Sequence, residues 1–202
     1  MSMKKKIAYF VFMVSVIAHA QVKEKSKDVF DIARSGTIEE IKALTAKKAD
    51  TVNSVNMMGF TPLILACYKG NNDVAVYLIG KVKNIDFNSS NGTALAAAVV
   101  KGNVYLTKVL LENKANPNIA DANGLTPLIY AIQFKNRALV QLLLDYKADK
   151  SFADSSGKKP FEYAVFQYSA LRKLTLILYF FPFDAAFHKA RHQKSKYHHY
   201  SK

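Results

Sequence analysis

Apolar residues along this chain fall into short bursts with helical spacing, and the bursts return at a fixed interval. Thr61-Pro62-Leu63 opens one of them, and the same start recurs as Thr93-Ala94-Leu95, Thr126-Pro127-Leu128 and, in worn form, Lys159-Pro160-Phe161, at spacings of 32, 33 and 33 residues. Five places after each start stands an alanine: Ala66, Ala98, Ala131 and Ala164. Seventeen places after each start stands an apolar pair: Leu78-Ile79, Leu110-Leu111, Leu143-Leu144 and Leu176-Ile177. Four registers kept in step define an internal repeat, and a repeat of this length is the mark of a stacked architecture. Each unit reads as helix, tight turn, helix, then a loop led by Asn56, Asn88, Asp121 or Asp154.

The residue types have physical reasons to stand where they do. A threonine side chain accepts a hydrogen bond from a free N–H in a helix's first turn. Proline beside it occupies the first helical position, where its missing N–H costs nothing. The aligned alanine permits close approach of neighbouring helices, and the later apolar pair fills space against the next unit. Between the two helices, Gly70 and Gly102 supply the residue that turns left-handed most readily.

Thr61-Pro62-Leu63-Ile64-Leu65-Ala66-Cys67 and Thr126-Pro127-Leu128-Ile129-Tyr130-Ala131 resemble the ankyrin repeat signature. Ala115-Asn116-Pro117-Asn118 and Ala148-Asp149 match the loop that leads into that family's projecting turn. The run Ala33 to Leu44 is similar to an N-terminal capping unit. The resemblance covers about Asp28 to Ile177 and implies an all-α solenoid of stacked helix-turn-helix units. Some positions depart from it. Lys135 and Tyr168 replace the inter-helix glycine, and Lys48, Lys114 and Lys147 stand where glycine usually ends the second helix. A non-glycine residue held left-handed there costs roughly 1 kcal/mol, partly offset because lysine suits the negative end of a helix dipole. The second unit is one residue short before Thr93, which predicts a loop of different shape.

The first twenty residues follow another pattern. Lys4, Lys5 and Lys6 precede the apolar run Ile7 to Ile17, and Ala18-His19-Ala20 closes the segment before Gln21. This is the layout of a secretory signal peptide, and the run is shorter than the ~20 residues of a bilayer crossing. The expected mature chain therefore starts at residue 21, has no transmembrane span, and works in a periplasm or outside the cell.

Charge adds a second uneven feature. The formal net charge is +14, yet residues 188–202 hold Lys189, Arg191, Lys194, Lys196 and Lys202 with no acid at all. A basic tail, rather than a basic domain, sets the high pI. The one cysteine leaves the fold without an intramolecular disulfide, so packing alone must hold it.

Candidate chemistry is sparse. Cys67 aligns with Val99, Ile132 and Val165, which puts it on an inward face and favours a structural thiol over a nucleophile. The repeats contain no histidine, the usual base for serine or cysteine catalysis. His188, His192, His198 and His199 of the tail offer imidazoles for adventitious Zn²⁺, Cu²⁺ or Ni²⁺, without the carboxylates or cysteines of a dedicated site. The tail's cations, with Tyr197 and Tyr200, suit weak contact with an anionic surface; nucleic acid is not an expected partner, and no cofactor motif occurs. The apolar stretch Leu174 to Phe181 reads as either a packed cap or an exposed contact patch.

Read together, the chain divides into a leader (1–20), a repeat domain (21–187) and a basic, His-rich tail (188–202). The domain comprises an N-terminal cap (28–55), repeats 56–87, 88–120 and 121–153, and a C-terminal cap (154–187). The family resemblance implies a non-catalytic protein-binding module that uses its loop tips and the exposed edges of its first helices. By register these positions are Met57, Met58, Phe60, Tyr68, Lys69, Val100, Lys101, Leu125, Gln133 and Phe134. Two other readings stay open: an immunity or accessory factor for one envelope enzyme, and a metal or anion binder acting through the tail.

Overall fold

The computed structural model describes residues 27–167. The leader, Tyr168, Leu176-Ile177, the 174–181 stretch and the tail 188–202 lie outside these residues. The order of elements is α1 (Val29–Ser35), α2 (Ile38–Lys47), a 3-10 turn (Ala49–Asn53), α3 (Pro62–Lys69), α4 (Asn72–Ile79), α5 (Ala94–Val100), α6 (Val104–Glu112), α7 (Pro127–Gln133), α8 (Arg137–Asp145) and α9 (Pro160–Gln167). No strand forms among the described residues, only an isolated bridge between Ser89 and Gly92. The architecture is an all-α solenoid in which odd-numbered helices make an inner row and even-numbered helices an outer row.

None of these helices exceeds ten residues, and an isolated helix that short is unstable in water. Stacking supplies what the single helix lacks. Ala33, Ala66, Ala98 and Ala131 are fully buried down the inner row, and they let inner helices approach more closely than outer ones. Leu78, Leu110 and Leu143 are equally buried in the outer row.

Capping follows the sequence. Thr61, Thr93 and Thr126 accept through Oγ1 from Ile64, Ala96 and Ile129 N–H at 3.3, 3.3 and 3.4 Å, with Pro62 and Pro127 opening α3 and α7. In the N-terminal unit Thr37 and Glu40 cap α2 reciprocally. Gly70 and Gly102 are left-handed, with φ of 73° and 69°. Lys114, Lys135 and Lys147 adopt the same region at φ 70°, 56° and 66°. Lys48 does not: its φ is −148°. The chain leaves α2 directly into the 3-10 turn, so no left-handed residue is needed and the expected strain is absent at that position.

Adjacent units are also stitched by polar contacts about one repeat apart. Asn71 Nδ2 donates to the Gly36 carbonyl at 2.9 Å, and Asn103 Nδ2 to Asn72 Oδ1 at 2.7 Å. On the connecting loops, Asn53, Asp86 and Asn118 each accept from a backbone N–H of the next unit, at Lys83, Asn116 and Asp149.

The projecting loops, or fingers, are held by the residue that begins each of them. Asn56 Oδ1 accepts from Met58 and Phe60 N–H, Asp121 Oδ1 from Asn123 and Leu125 N–H, and Asp154 Oδ1 from Ser156 and Lys158 N–H. The second finger is built differently, as its missing residue implies. Ser89, not Asn88, begins it: Ser89 exchanges backbone hydrogen bonds with Gly92 and its hydroxyl donates to the Gly92 carbonyl. Asn88 instead reaches across to the Ala120 carbonyl at 2.9 Å. Fingers also bond to one another, through Ala122 N–H to Ser90 O and Ser155 N–H to Asn123 O.

A second lock appears in the last two fingers. The free carboxylate oxygen of Asp121 accepts from the Tyr130 hydroxyl at 2.6 Å, and that of Asp154 from the Tyr163 hydroxyl. The Tyr163 bond and the hydroxyl of Ser156 hold the Asp154 carboxyl well below the usual carboxylate range. The same bond to Asp154, then burial, pushes the Tyr163 phenol up to about 12 from 10. Burial first, then the bond to Asp121, raises Tyr130 as well.

Two measurements test this account. Gly124 has φ +76°, and an added Cβ would lie 2.5 Å from the Ser155 backbone nitrogen, whereas Gly59 has φ +80° and open space around it. Gly124→Ala should cost about 2 kcal/mol or more in urea unfolding and Gly59→Ala about 1 kcal/mol; equal losses would mean that the finger-to-finger contact contributes nothing. The Tyr163 phenol has a raised folded value, so its bond to Asp154 is fully present below pH 10 and is lost as pH rises through about 12. Absorbance titration at 295 nm should show a late-ionising tyrosine near pH 12 that disappears in Tyr163→Phe.

Candidate functional site

Between the fingers and the exposed side of the inner helices lies a groove of about 570 Å³, within the size range of ligand pockets. One wall is the first finger. The Asn56 side chain fixes that turn, leaving Met57 fully exposed and Met58 62% exposed at the tip, while Phe60 at its base packs half-buried on the core. Two rows of inner-helix residues, set by the repeat register, form the floor. Leu65, Ala97 and Tyr130 make one row; Tyr68 and Val100 begin the other. Ala97 stands between two larger neighbours and so leaves the depression.

The groove gathers five of the ten expected residues: Met58, Phe60, Tyr68, Lys69 and Val100. Lys101 sits at its edge, its ammonium 5.2 Å from the centre of the Tyr68 ring, with the Lys69 ammonium at 5.9 Å from the same ring. Phe134 is 56% exposed and stacks on Tyr130, the ring centroids 6.4 Å apart. Met57 points away into solvent, Leu125 is half-buried in the third finger, and Gln133 is half-buried near Tyr163; these three do not line the groove.

Sequence reasoning missed Arg34, Ile64, Leu65, Asn91, Ala97 and Tyr130, all of which line it. Ala97 contributes by its smallness and carries no signal of its own. Tyr130 looks like an ordinary core aromatic, but it follows Asp121 by nine residues, as Tyr163 follows Asp154. That paired spacing marks both tyrosines as finger locks.

The groove is lined by apolar, aromatic and cationic side chains. Cys67 is fully buried beneath the groove, and burial pushes its thiol up to about 12, so it holds no thiolate for nucleophilic work. Among the described residues, no three His, Cys, Asp or Glu side chains come together to hold a metal, and no helix is long and apolar enough to cross a membrane.

Comparison with known proteins agrees with this geometry. The model for ankyrin repeats (3 copies) matches residues 29–121 and again 95–179. The chain is 36% identical over 93 residues to the ankyrin repeat protein FPV223 of Fowlpox virus (strain NVSL), covering 46% of this chain and 64% of that one. It is 35% identical over 114 residues to the E3 ubiquitin-protein ligase XBAT34 of Arabidopsis thaliana, covering 54% and 30%. It is 30% identical over 106 residues to ankyrin repeat and SAM domain-containing protein 6 of Mus musculus, covering 52% and 12%. In each case the match spans less than two thirds of the relative's length. Repeats of this kind are protein–protein interaction modules, generally without catalysis of their own. Helix pairs, fingers, capping threonines and family match converge: the chain belongs to the ankyrin repeat family.

Proposed function

We propose that this chain is a non-catalytic binding module that acts outside the cytoplasm and takes its protein partner in the groove between fingers and inner helices. The observation that carries the docking site is the pre-formed groove itself, with exposed Met58, Tyr68 and Phe134 in or beside it. Large apolar and aromatic side chains left half in water gain most from being covered, and residues of this kind dominate binding energy in protein interfaces. Hydrogen bonds to Asn56 and from Tyr130 to Asp121 fix the walls in advance. Less freedom is then lost on docking. Export rests on the leader pattern of residues 1–20.

Two experiments test these parts. Mass spectrometry of the chain recovered from its native host should give an N-terminus at Gln21, in an envelope or culture-medium fraction; an intact leader on cytoplasmic protein would refute export. For the docking site, Met58→Ala, Tyr68→Ala and Phe134→Ala combined should lower partner capture from an envelope extract about tenfold or more. Thermal unfolding should be little changed, since all three side chains are about half exposed or more. Unchanged capture by a folded triple variant would remove the groove from consideration.

A further inference from the structure

The groove's charge points to the kind of partner it accepts. The last residues of each inner helix and the turn that follows align across units as Arg34-Ser35-Gly36, Tyr68-Lys69-Gly70, Val100-Lys101-Gly102 and Gln133-Phe134-Lys135. Each of these four units contributes one cation to this rim and none contributes an acid. Arg34 is already engaged by Asp31 at 3.1 Å. Among the described residues Lys69 and Lys101 make no salt bridge; both ammonium groups instead lie over one tyrosine ring, that of Tyr68, at 5.9 and 5.2 Å from its centre. The two ammonium groups thus flank one exposed aromatic side chain of the groove, and a carboxylate brought to that ring is attracted by both. Asp121, which holds the Tyr130 hydroxyl, does not line the groove, and its carboxylate is occupied by two backbone N–H groups and that hydroxyl.

We infer that the groove selects an acidic polypeptide segment carrying one apolar or aromatic side chain, which seats beside Ala97 while flanking carboxylates meet Lys69 and Lys101. This inference rests on the groove being the docking site and adds the partner's chemistry. The same charges disfavour two other occupants. The chain's own basic tail would bring Lys189, Arg191, Lys194 and Lys196 against a basic rim, and a second copy would set one basic rim on another.

The test uses the mature chain and three fluorescein-labelled twelve-residue peptides, read by fluorescence anisotropy in about 0.1 M salt. The first is built from Asp, Glu and Gly with a central Phe-Leu pair. The second replaces every acid with Lys, and the third keeps the acids but replaces Phe-Leu with Gly-Gly. The first should bind at least tenfold more tightly than either control, and Lys69→Glu with Lys101→Glu should weaken it at least tenfold. Lys69→Gln with Lys101→Gln should give an intermediate loss, which separates charge from any damage to the fold. Equal binding of the third peptide would reduce the effect to bulk ion exchange and overturn the inference. Equal binding of the lysine peptide, or indifference to both lysine variants, would overturn it too. Displacement of the first peptide by a single-stranded oligonucleotide or anionic vesicles at lower concentration would reassign the rim to a non-protein polyanion. If the triple apolar variant loses its captured partner while the double charge reversal keeps it, the acid preference fails and the docking site stands; if neither changes capture, the docking site itself fails.

Discussion

Close approach of the inner helices is the constraint on which the rest of this structure depends. Helices of seven to ten residues have no stability to spare, and a single pair cannot bury its own apolar stripe. The alanines at 33, 66, 98 and 131 remove side-chain bulk where inner helices meet, while leucines at 78, 110 and 143 keep volume between outer ones. The inner row is drawn together and the fingers are carried forward over its exposed side. The groove is therefore a by-product of how the stack packs, and its shape is as firm as the core beneath it. A stability that is nearly a sum of unit and interface contributions follows from the same arrangement.

Polar contacts repeat this nearest-neighbour logic. Asn71 satisfies carbonyls at the end of α1, and the asparagine and aspartate side chains on the connecting loops reach one unit forward. No buried side-chain nitrogen or oxygen among the described residues lacks a hydrogen-bond partner. In a chain without disulfides, such contacts fix the rotation of one unit on the next, which non-directional apolar burial leaves loose. That rotation sets where Met58, Tyr68 and Tyr130 stand relative to one another.

Much of this was legible in the sequence, for reasons that differ by residue. Thr61, Thr93 and Thr126 announce helix starts because a hydroxyl before a helix has one good use there. Gly70 and Gly102 are equally legible, and so was the left-handed turn at Lys135, because the register demanded it despite the residue. Lys48 shows where register misleads: the cap unit leaves its second helix by a different route, and alignment alone cannot see a 3-10 turn. Asn88 misled in the same way, since the shortened loop passed its role to Ser89. The site was half legible. Large exposed side chains can be inferred from register, but a hollow made by Ala97 depends on what its neighbours leave unfilled, and Tyr130's double role is signalled in the sequence only by its spacing from Asp121.

The contracted second finger has one more implication. Fingers one and three begin with an Asx residue and run five residues to the threonine that caps the helix, whereas finger two runs four from Ser89 to Thr93. Asn91 at its tip and Ala97 of the floor behind it both line the groove. A loop one residue shorter reshapes that side of the groove without any new side chain. A repeat array can thus vary its surface from unit to unit by subtraction as well as by substitution, as it does between residues 88 and 93.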